Sequence, residues 1–302
     1  FNAKTFCIGE LFMKKITAFV LAAFMVMTLI AGCSQENVQT SGNGSGADAA
    51  TQSGVDDSWT KVQSAGKLVL GLDAEFPPMG YRDTETGEIV GFDIDLATEV
   101  CKRLGLELVK TPINWDNKQL ELDGGNIDCI WNGMSYTGER AQEMLVSAPY
   151  MQNKQFIITL KGSEYTTMDS LAGKILGVQK DSSAEAALDK NEAFKNTLGQ
   201  IIGIENYTSA VLELQNGTID GIAIDEIVAR YYIAKEPELY QIVQDENGEE
   251  ASLAQEDYVI GFRKGDVALK DKIYGTLQEM KRDGTLAKIS NDWFEKDITA
   301  VE

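Results

Sequence analysis

The sequence predicts an α/β protein of two similar lobes with a ligand-binding cleft between them. Two observations carry this prediction. From residue 67 the chain reads strand, loop, helix, strand, which is how a parallel α/β sheet begins. Residues 121–130 (ELDGGNIDCI) also align without gaps on residues 213–222 (ELQNGTIDGI), so a helix end, a turn and a buried strand occur twice. Ligands of open α/β sheets bind beyond the carboxyl ends of the strands, and two facing strand ends form a cleft.

Length and composition exclude several classes of function. The 302 residues suffice for one large or two medium domains, and the net charge of −20 argues against a nucleic-acid partner. The chain has no histidine, which removes histidine-based catalytic triads and histidine zinc sites. Its four cysteines show no CxxC spacing. We therefore expect no metal and no cofactor.

The N-terminal part has the pattern of an exported lipoprotein. Met13 is followed by two lysines, an apolar run over residues 16–30 and small residues before Cys33. This order is typical of a signal peptide, and residues 30–33 (IAGC) resemble a bacterial lipobox, whose cysteine carries the lipid. We expect an upstream extension at residues 1–12, a lipoprotein signal peptide at 13–32 and lipidation of Cys33. The alternative is an ordinary signal peptide with an incidental cysteine.

A flexible tether and the first lobe follow. Residues 33–58 are rich in small and polar side chains without an apolar period, which is typical of a flexible linker. Residues 67–72 predict a buried strand, and Phe92 begins a helix whose apolar positions fall on one face. Gly105 is placed to end that helix, and residues 106–109 predict the next strand.

Residues 127–140 (IDCIWNGMSYTGER) predict the centre of the binding site. A short apolar strand breaks at Asn132 and Gly133, where the glycine is expected to leave its backbone groups free. Ser135 and Arg140 follow, and a guanidinium fork with hydroxyls and amides can hold a small carboxylate. In the repeat, Asn132 and Gly133 align with Ile224 and Asp225, so the second lobe presents a matching strand end.

Two strands are expected to join the lobes. Residues 155–160 predict the first crossover, and residues 258–262, after the polar run 245–256, predict the return. Lobe I is then formed by residues 59–153 and 257–302, and lobe II by residues 154–256. Two amphipathic helices complete lobe I at its C-terminal end.

Several motifs in order resemble the bacterial extracellular solute-binding proteins of polar amino-acid ABC transporters, a family that includes lysine/arginine/ornithine-, histidine-, glutamine- and cystine-binding proteins. The resemblance covers residues 67–294, and its motifs are GLDAEFPPMGYRD, GFDIDLATEVCKRLG, NIDCIWNGMSYTGER, GVQKDSSAE, IDGIAIDEIVA, GFRKGD and RDGTLAKISNDWF. The resemblance implies a periplasmic-binding-protein-like (type II) fold, with two lobes joined by two crossover strands and closing on one amino acid.

The resemblance also assigns the main-chain end of the ligand. In lobe I, Arg140 matches the arginine that binds the ligand carboxylate, and Gly133 and Ser135 match positions that bracket the carboxylate and ammonium groups.

In lobe II, Ser182 and Ser183 match a turn that offers helix-start amides to the carboxylate. Asp181 replaces that turn's usual glycine, which leaves its backbone geometry open. Asp225 matches the acid that pairs with the ligand ammonium, although an aspartate there can also cap a helix.

The side-chain pocket is assigned in the same way. Asp73 matches a position that contacts the ligand side chain, and Phe76 and Trp115 match aromatic residues that sandwich the ligand or, alternatively, pack in the core. Gln179 and Ile224 match positions where relatives vary with specificity, and Asn132 replaces a small residue of many relatives, where its amide can hydrogen-bond the ligand. Asp73 with Trp115 favours lysine, arginine or ornithine, whereas Gln179 and Asn132 also suit glutamine or cystine.

Cys101 and Cys129 are both expected to be buried, either bonded to each other or as two free thiols.

The predicted function is that of a lipid-anchored, monomeric component of an ABC importer on the extracytoplasmic face of the membrane. It would deliver a polar L-amino acid to a permease with its ATPase. The alternatives are an enzyme on the same scaffold, a cyclohexadienyl dehydratase-like lyase, and the sensor domain of a receptor.

Overall fold

A computed structural model describes residues 56–302. The predictions for the upstream extension, the signal peptide, Cys33 and nearly all of the tether therefore lie outside the described residues. Within residues 56–302, no helix has the length and apolar character needed to cross a membrane.

The described chain alternates strands and helices. In chain order, the strands are β1 (Lys67–Leu72), β2 (Glu75–Phe76), β3 (Gly80–Arg82), β4 (Ile89–Val90), β5 (Glu107–Pro112), β6 (Cys129–Ile130), β7 (Leu145–Val146), β8 (Met151–Leu160), β9 (Ile175–Gln179), β10 (Gln200–Ile204), β11 (Gly221–Asp225), β12 (Tyr240–Ile242), β13 (Ala254–Tyr258) and β14 (Gly261–Phe262). The α-helices are α1 (Ser58–Ala65), α2 (Phe92–Leu104), α3 (Lys118–Asp123), α4 (Gly138–Glu143), α5 (Ser183–Lys190), α6 (Glu192–Lys195), α7 (Tyr207–Gln215), α8 (Glu226–Lys235), α9 (Val267–Arg282) and α10 (Thr285–Phe294).

Two main sheets form the two lobes of the predicted α/β fold. The sheet of lobe I has the strand order β5-β1-β6-β14-β7, and β1 runs parallel to both β5 and β6. The sheet of lobe II has the order β10-β9-β11-β8-β12, with β13 also paired to β8. A small antiparallel sheet, β2-β3-β4, is formed by the loop that follows β1.

Helix α2 forms as its sequence predicts. Its apolar face is buried, and Gly105 ends it in the left-handed conformation at φ +69°, which glycine adopts without steric cost. Asp93, in its first turn, is also fully buried, so one carboxyl group of this helix points into the protein.

The internal repeat corresponds to a repeated set of hydrogen bonds. Asp128 accepts a hydrogen bond from the N–H of Val69 at 2.9 Å, and Asp220 accepts one from the N–H of Ile175 at 2.8 Å. Each aspartate precedes a central strand and ties it to the neighbouring parallel strand of its own lobe. The aligned sequences therefore describe equivalent pieces of two lobes.

The crossover strands β8 and β13 pair antiparallel, with Asn153 opposite Glu256 and Met151 opposite Tyr258. The return crossover begins earlier than its composition predicts. Residues 254–258 form the strand, and the chain then leaves it before β14. The polar residues of β13 are extended because β8 supplies their backbone partners, which compensates for weak strand propensity. The lobe boundaries expected from the sequence fall within these two strands.

Both cysteines of the described region are free and buried, so Cys101 and Cys129 form no disulfide. Burial raises the pKa of Cys101 to about 12 and that of Cys129 well above its usual value. The two thiols therefore act as small apolar core groups.

Candidate functional site

A small cavity lies between the lobes, and the residues predicted to bind ligand surround it. Nine of those eleven line it: Phe76, Trp115, Gly133, Ser135, Arg140, Gln179, Ser182, Ser183 and Asp225. The cavity measures about 10 Å³, which is close to the space that one water molecule needs. An amino acid can therefore occupy this position only after the lobes separate or adjust.

Arg140 is a buried cation on the lobe I side. Helix α4 carries it, and the Thr137 hydroxyl caps that helix by accepting a hydrogen bond from the N–H of Arg140 at 3.1 Å. The guanidinium donates to the carbonyl oxygens of Ser135 and Asp181, each at 2.9 Å, and the side chain is 7% exposed. Burial lowers the pKa of Arg140, yet an arginine remains charged at neutral pH.

The start of helix α5 faces this cation from lobe II. Ser182 caps the helix by accepting from the N–H of Glu185 at 3.2 Å, and the Ser183 hydroxyl donates to the Ser135 hydroxyl of lobe I at 3.1 Å. Asp181 adopts a left-handed φ of +53°, which glycine would tolerate better. Its carboxylate pairs with Lys118 of lobe I, so an ion pair between the lobes accompanies the strained residue.

Asp225 ends β11 and is buried. It occupies the N-cap position of α8 but makes no capping hydrogen bond. Its carboxylate accepts four hydrogen bonds, from Asn153 at 2.7 Å, Gln155 at 2.8 Å, Tyr258 at 2.8 Å and Tyr207 at 3.1 Å. Burial, and then the nearby negative charge of Glu256, raise the pKa of Asp225 to about 7.

Asp73 and Asn132, the two predicted residues that do not line the small cavity, lie beside it. The Gln179 amide of lobe II donates to the Asp73 carboxylate at 2.7 Å. The side-chain oxygen of Asn132 accepts from the N–H of Asp73 at 3.0 Å, so Asn132 supports the backbone of Asp73. Burial raises the pKa of Asp73 to about 6.

Gly133 differs from its expectation in one respect. Its N–H is not free, because it donates to the buried Asp93 carboxylate at 2.7 Å. Gly133 has φ +56°, and a Cβ atom there would lie 2.8 Å from the Phe76 ring. Its requirement for glycine is therefore both conformational and steric. The sequence does not reveal the bond to Asp93, since the two residues are forty positions apart.

Phe76 and Trp115 lie both in the packed interior and at the wall of the cavity. Both side chains are almost fully buried. The Phe76 ring lies 5.6 Å from the Tyr207 ring of lobe II, and the Trp115 ring carries the Lys118 ammonium at 4.9 Å and the Arg140 guanidinium at 5.8 Å.

A larger chamber adjoins the small cavity and shares Trp115 with it. It measures about 250 Å³ and is lined by Asp73, Ala74, Glu75, Arg82, Pro112, Ile113, Asn114, Trp115, Glu205 and Asn206. Three carboxylates (Asp73, Glu75 and Glu205) and one arginine therefore face the chamber. In the part of the chain that the structure describes, no group of three or more acidic or cysteine side chains is arranged to hold a metal ion.

Sequence reasoning missed several polar residues around the site, among them Asp93, Lys118, Gln155 and Glu256. The first two lie on helices, where charged residues are common, and the others lie on the crossover strands. Glu256 and Tyr258 are two positions apart on β13, so their side chains share one face. This alternation could point to Glu256 only if the return strand were predicted at residues 254–258.

Comparison with known proteins agrees with this architecture. Residues 68–296 match the sequence profile of the bacterial extracellular solute-binding proteins, family 3. The L-cystine-binding protein TcyJ of Escherichia coli (strain K12) is 28% identical over 244 residues, which are 79% of this chain and 86% of that protein. The putative ABC transporter arginine-binding protein 2 of the same organism is 30% identical over 239 residues, covering 77% and 93%.

A solved structure gives the same result. The ABC uptake transporter substrate-binding protein from Streptococcus pneumoniae with bound histidine superimposes with a TM-score of 0.76. It is 36% identical, and the alignment covers 82% of this chain and 99% of that one. The profile match spans well over half of the chain, and the protein belongs to family 3 of the bacterial extracellular solute-binding proteins.

Proposed function

We propose that this protein is the extracytoplasmic substrate-binding component of an ABC importer, closing on a polar L-amino acid and delivering it to the permease. One observation carries the proposal: a single cavity between the lobes is lined by Arg140 from lobe I and Asp225 from lobe II. These opposite charges complement the carboxylate and the ammonium of an amino acid. The names of the relatives, which bind cystine, arginine and histidine, support the same class of ligand.

Binding and closure are coupled in this proposal. Arg140 holds the ligand carboxylate with the helix-start amides near Ser183, because a planar guanidinium fork and free N–H groups match that group. Asp225 holds the ammonium. Since these residues belong to different lobes, the ligand makes all of its contacts only when the lobes close, and its binding energy favours the closed form.

The larger chamber is the place for the side chain of the ligand. Its three carboxylates favour a long side chain that ends in a positive charge, and Asp73 lies where the chamber meets the small cavity. We infer that arginine, lysine and ornithine bind more tightly than glutamine. Cystine, whose second head group carries both charges, would place its ammonium against the same acids and its carboxylate near Arg82.

A binding screen tests the proposal. The purified protein is heated with L-arginine, L-lysine, L-ornithine, L-histidine, L-glutamine or L-cystine, and positive shifts in Tm are followed by calorimetric titration. A ligand that binds the folded state stabilises it by mass action, so at least one cationic amino acid is expected to raise Tm. Failure of all six to bind would refute the proposal, and turnover of prephenate or arogenate would favour the lyase instead.

We further propose that a lipid on Cys33 anchors the protein to the extracytoplasmic face of the membrane, with residues 33–58 as the tether and the binding lobes as a monomer. The lipobox-like residues 30–33 support this. Labelling with an alkyne fatty acid is expected to mark the protein and to fail for Cys33→Ala. Equal labelling of both would contradict the anchor.

A further inference from the structure

Two carboxylates share one buried amide next to Asp225, which lines the small cavity. The Gln155 side-chain nitrogen donates to Asp225 at 2.8 Å and to Glu256 at 2.9 Å, so both acids lie against a single NH₂ group. Within residues 56–302, neither acid has a lysine or arginine at ion-pair distance. The pair therefore carries negative charge that the described protein does not neutralise by direct pairing.

Hydrogen-bond acceptors also outnumber donors at this place. The same Gln155 nitrogen has two hydrogens but three acceptors, the third being the Ser183 hydroxyl at 3.1 Å. The side-chain oxygens of Gln155 and Asn153 are buried without a donor, and Gln155 is fully buried at 0% exposure. Buried acceptors without donors are unfavourable. A positively charged group with three N–H donors would correct both the charge and the shortage of donors.

Glu256 connects lobe I to lobe II. It lies on the return crossover strand β13, opposite Asn153 of β8. Its carboxylate accepts a hydrogen bond from the Ser135 hydroxyl of lobe I at 2.6 Å, while Gln155 links it to Asp225 of lobe II. A ligand group bound here would contact both lobes and both crossover strands.

We propose that Glu256 is a second carboxylate of the ammonium subsite, so that the α-ammonium of the amino acid binds between Asp225 and Glu256. This inference rests on the proposed function and adds a residue to its site. Because Glu256 lies on the crossover strand β13, ligand binding would depend on where that strand lies. The same arrangement accounts for the surplus of acceptors around Gln155.

A charged Glu256 beside Asp225 makes ligand binding depend on pH. The charged and titratable groups that face Asp225 are Glu256 and Tyr258 from β13, Tyr207 from α7 and Arg140 from α4. Glu256 raises the pKa of Asp225, and the tyrosines lower it by donating hydrogen bonds. Loss of the Glu256 charge should therefore let Asp225 stay ionised to lower pH.

The test is calorimetric titration of L-arginine, L-glutamine and L-cystine into wild-type protein and Glu256→Gln between pH 5 and pH 8.5. Glutamine keeps the shape of the side chain and removes its charge. We expect at least tenfold weaker binding by Glu256→Gln at pH 8, together with an acid-side loss of affinity whose midpoint moves to lower pH. Glu256→Asp should keep the wild-type midpoint because it keeps the charge.

Asp257→Asn is the matched control, because it removes a carboxylate from the neighbouring position on the opposite face of β13. It should leave both affinity and midpoint unchanged. Wild-type binding together with an unchanged affinity and midpoint in Glu256→Gln would overturn the inference while leaving the proposed function intact. Absence of wild-type binding to every amino acid tested would instead overturn the proposed function. Should Glu256→Gln fail to fold, a shifted midpoint in Glu256→Asp would overturn the inference by itself.

Discussion

Gly133 is constrained by its backbone conformation, by a hydrogen bond and by neighbouring side chains. Its φ of +56° suits glycine, its N–H is held by Asp93, and the space beside its Cα is filled by the rings of Phe76 and Tyr258. Any side chain there would move an aromatic wall of the cavity. The backbone at Gly133 is thus fixed by a buried carboxyl group behind it and by two rings in front of it.

Replacing Gly133 by alanine should impair both stability and binding. The added methyl group would lie 2.8 Å from Phe76 and 3.1 Å from Tyr258, in addition to the cost of the left-handed conformation. We expect a loss of about 2–4 kcal/mol in the free energy of unfolding, measured by urea titration, and at least tenfold weaker amino-acid binding.

Gly217→Ala is the control for this substitution. Gly217 also has a positive φ, +72°, but has no atom within 4 Å of the position of a Cβ. It should cost about 1 kcal/mol and leave binding unchanged. Equal effects of the two substitutions would show that conformational strain alone explains Gly133.

At the scale of elements, an ion pair joins α3 of lobe I to the turn before α5 of lobe II. Lys118 is only 3% exposed, and its ammonium also donates to the carbonyl oxygens of Trp115 at 3.1 Å and Asp181 at 3.2 Å. Burial, and then the nearby charge of Arg140, lower the pKa of Lys118 to about 8. The contact exists only when the two elements approach, so it favours the closed form.

Lys118→Met should therefore weaken amino-acid binding about three- to tenfold, because one interaction specific to closure is lost. The affinity is measured by calorimetry and the degree of closure by small-angle scattering with and without L-arginine. Lys195→Met removes an ion pair inside lobe II, between Lys195 and Asp189, and should change neither quantity. Unchanged affinity in Lys118→Met would contradict a role in closure.

The elements also show how far sequence reasoning reaches. Helix α2 and the repeated strands follow from local pattern, because an apolar face and a glycine stop are visible in a few consecutive residues. The return crossover does not, because β13 is stabilised by pairing with β8, a partner a hundred residues away. A return strand predicted at residues 258–262 leaves Glu256 outside it, so the sequence does not point to Glu256 as a site residue.

The residues of the candidate site could be predicted from the sequence, but their hydrogen-bond partners could not. The members of the site follow motifs and a family resemblance, and nine of them meet at one cavity. Their hydrogen-bond partners depend on tertiary distances that the sequence does not contain. The attachment of Gly133 to Asp93 and the support of Asp73 by Asn132 are two such contacts.

For the whole molecule, buried carboxyl groups set the pH dependence of stability. Burial raises the pKa of Asp73 to about 6 and those of Asp93 and Asp225 to about 7. The unfolded chain loses these protons near pH 4, whereas the folded protein keeps them, so stability should fall as pH rises from about 4 to about 7. Groups whose pKa is lowered, such as Asp283, affect the stability only at more acidic pH.

Each such group contributes a slope of about 1.4 kcal/mol per pH unit within its own window. Asp225→Asn removes one contribution and should make the decline shallower in urea titrations between pH 4.5 and pH 7.5. Asp189→Asn, on the exposed side of α5, should leave the slope as in wild type. The same slope in Asp225→Asn and wild type would show that Asp225 is ionised throughout this range.

We propose that the molecule is a clamp that closes on an amino acid through Arg140. Calorimetric titration of L-arginine, L-lysine, L-histidine, L-glutamine and L-cystine into wild type, Arg140→Ala and Arg230→Ala tests it most directly. Arg230 is a half-exposed arginine of α8 that pairs with Glu226 and Glu250, away from the cavity. We expect wild type and Arg230→Ala to bind alike and Arg140→Ala to bind at least a hundredfold more weakly, a loss of about 3 kcal/mol. Equal affinity of a folded Arg140→Ala and wild type would contradict the account.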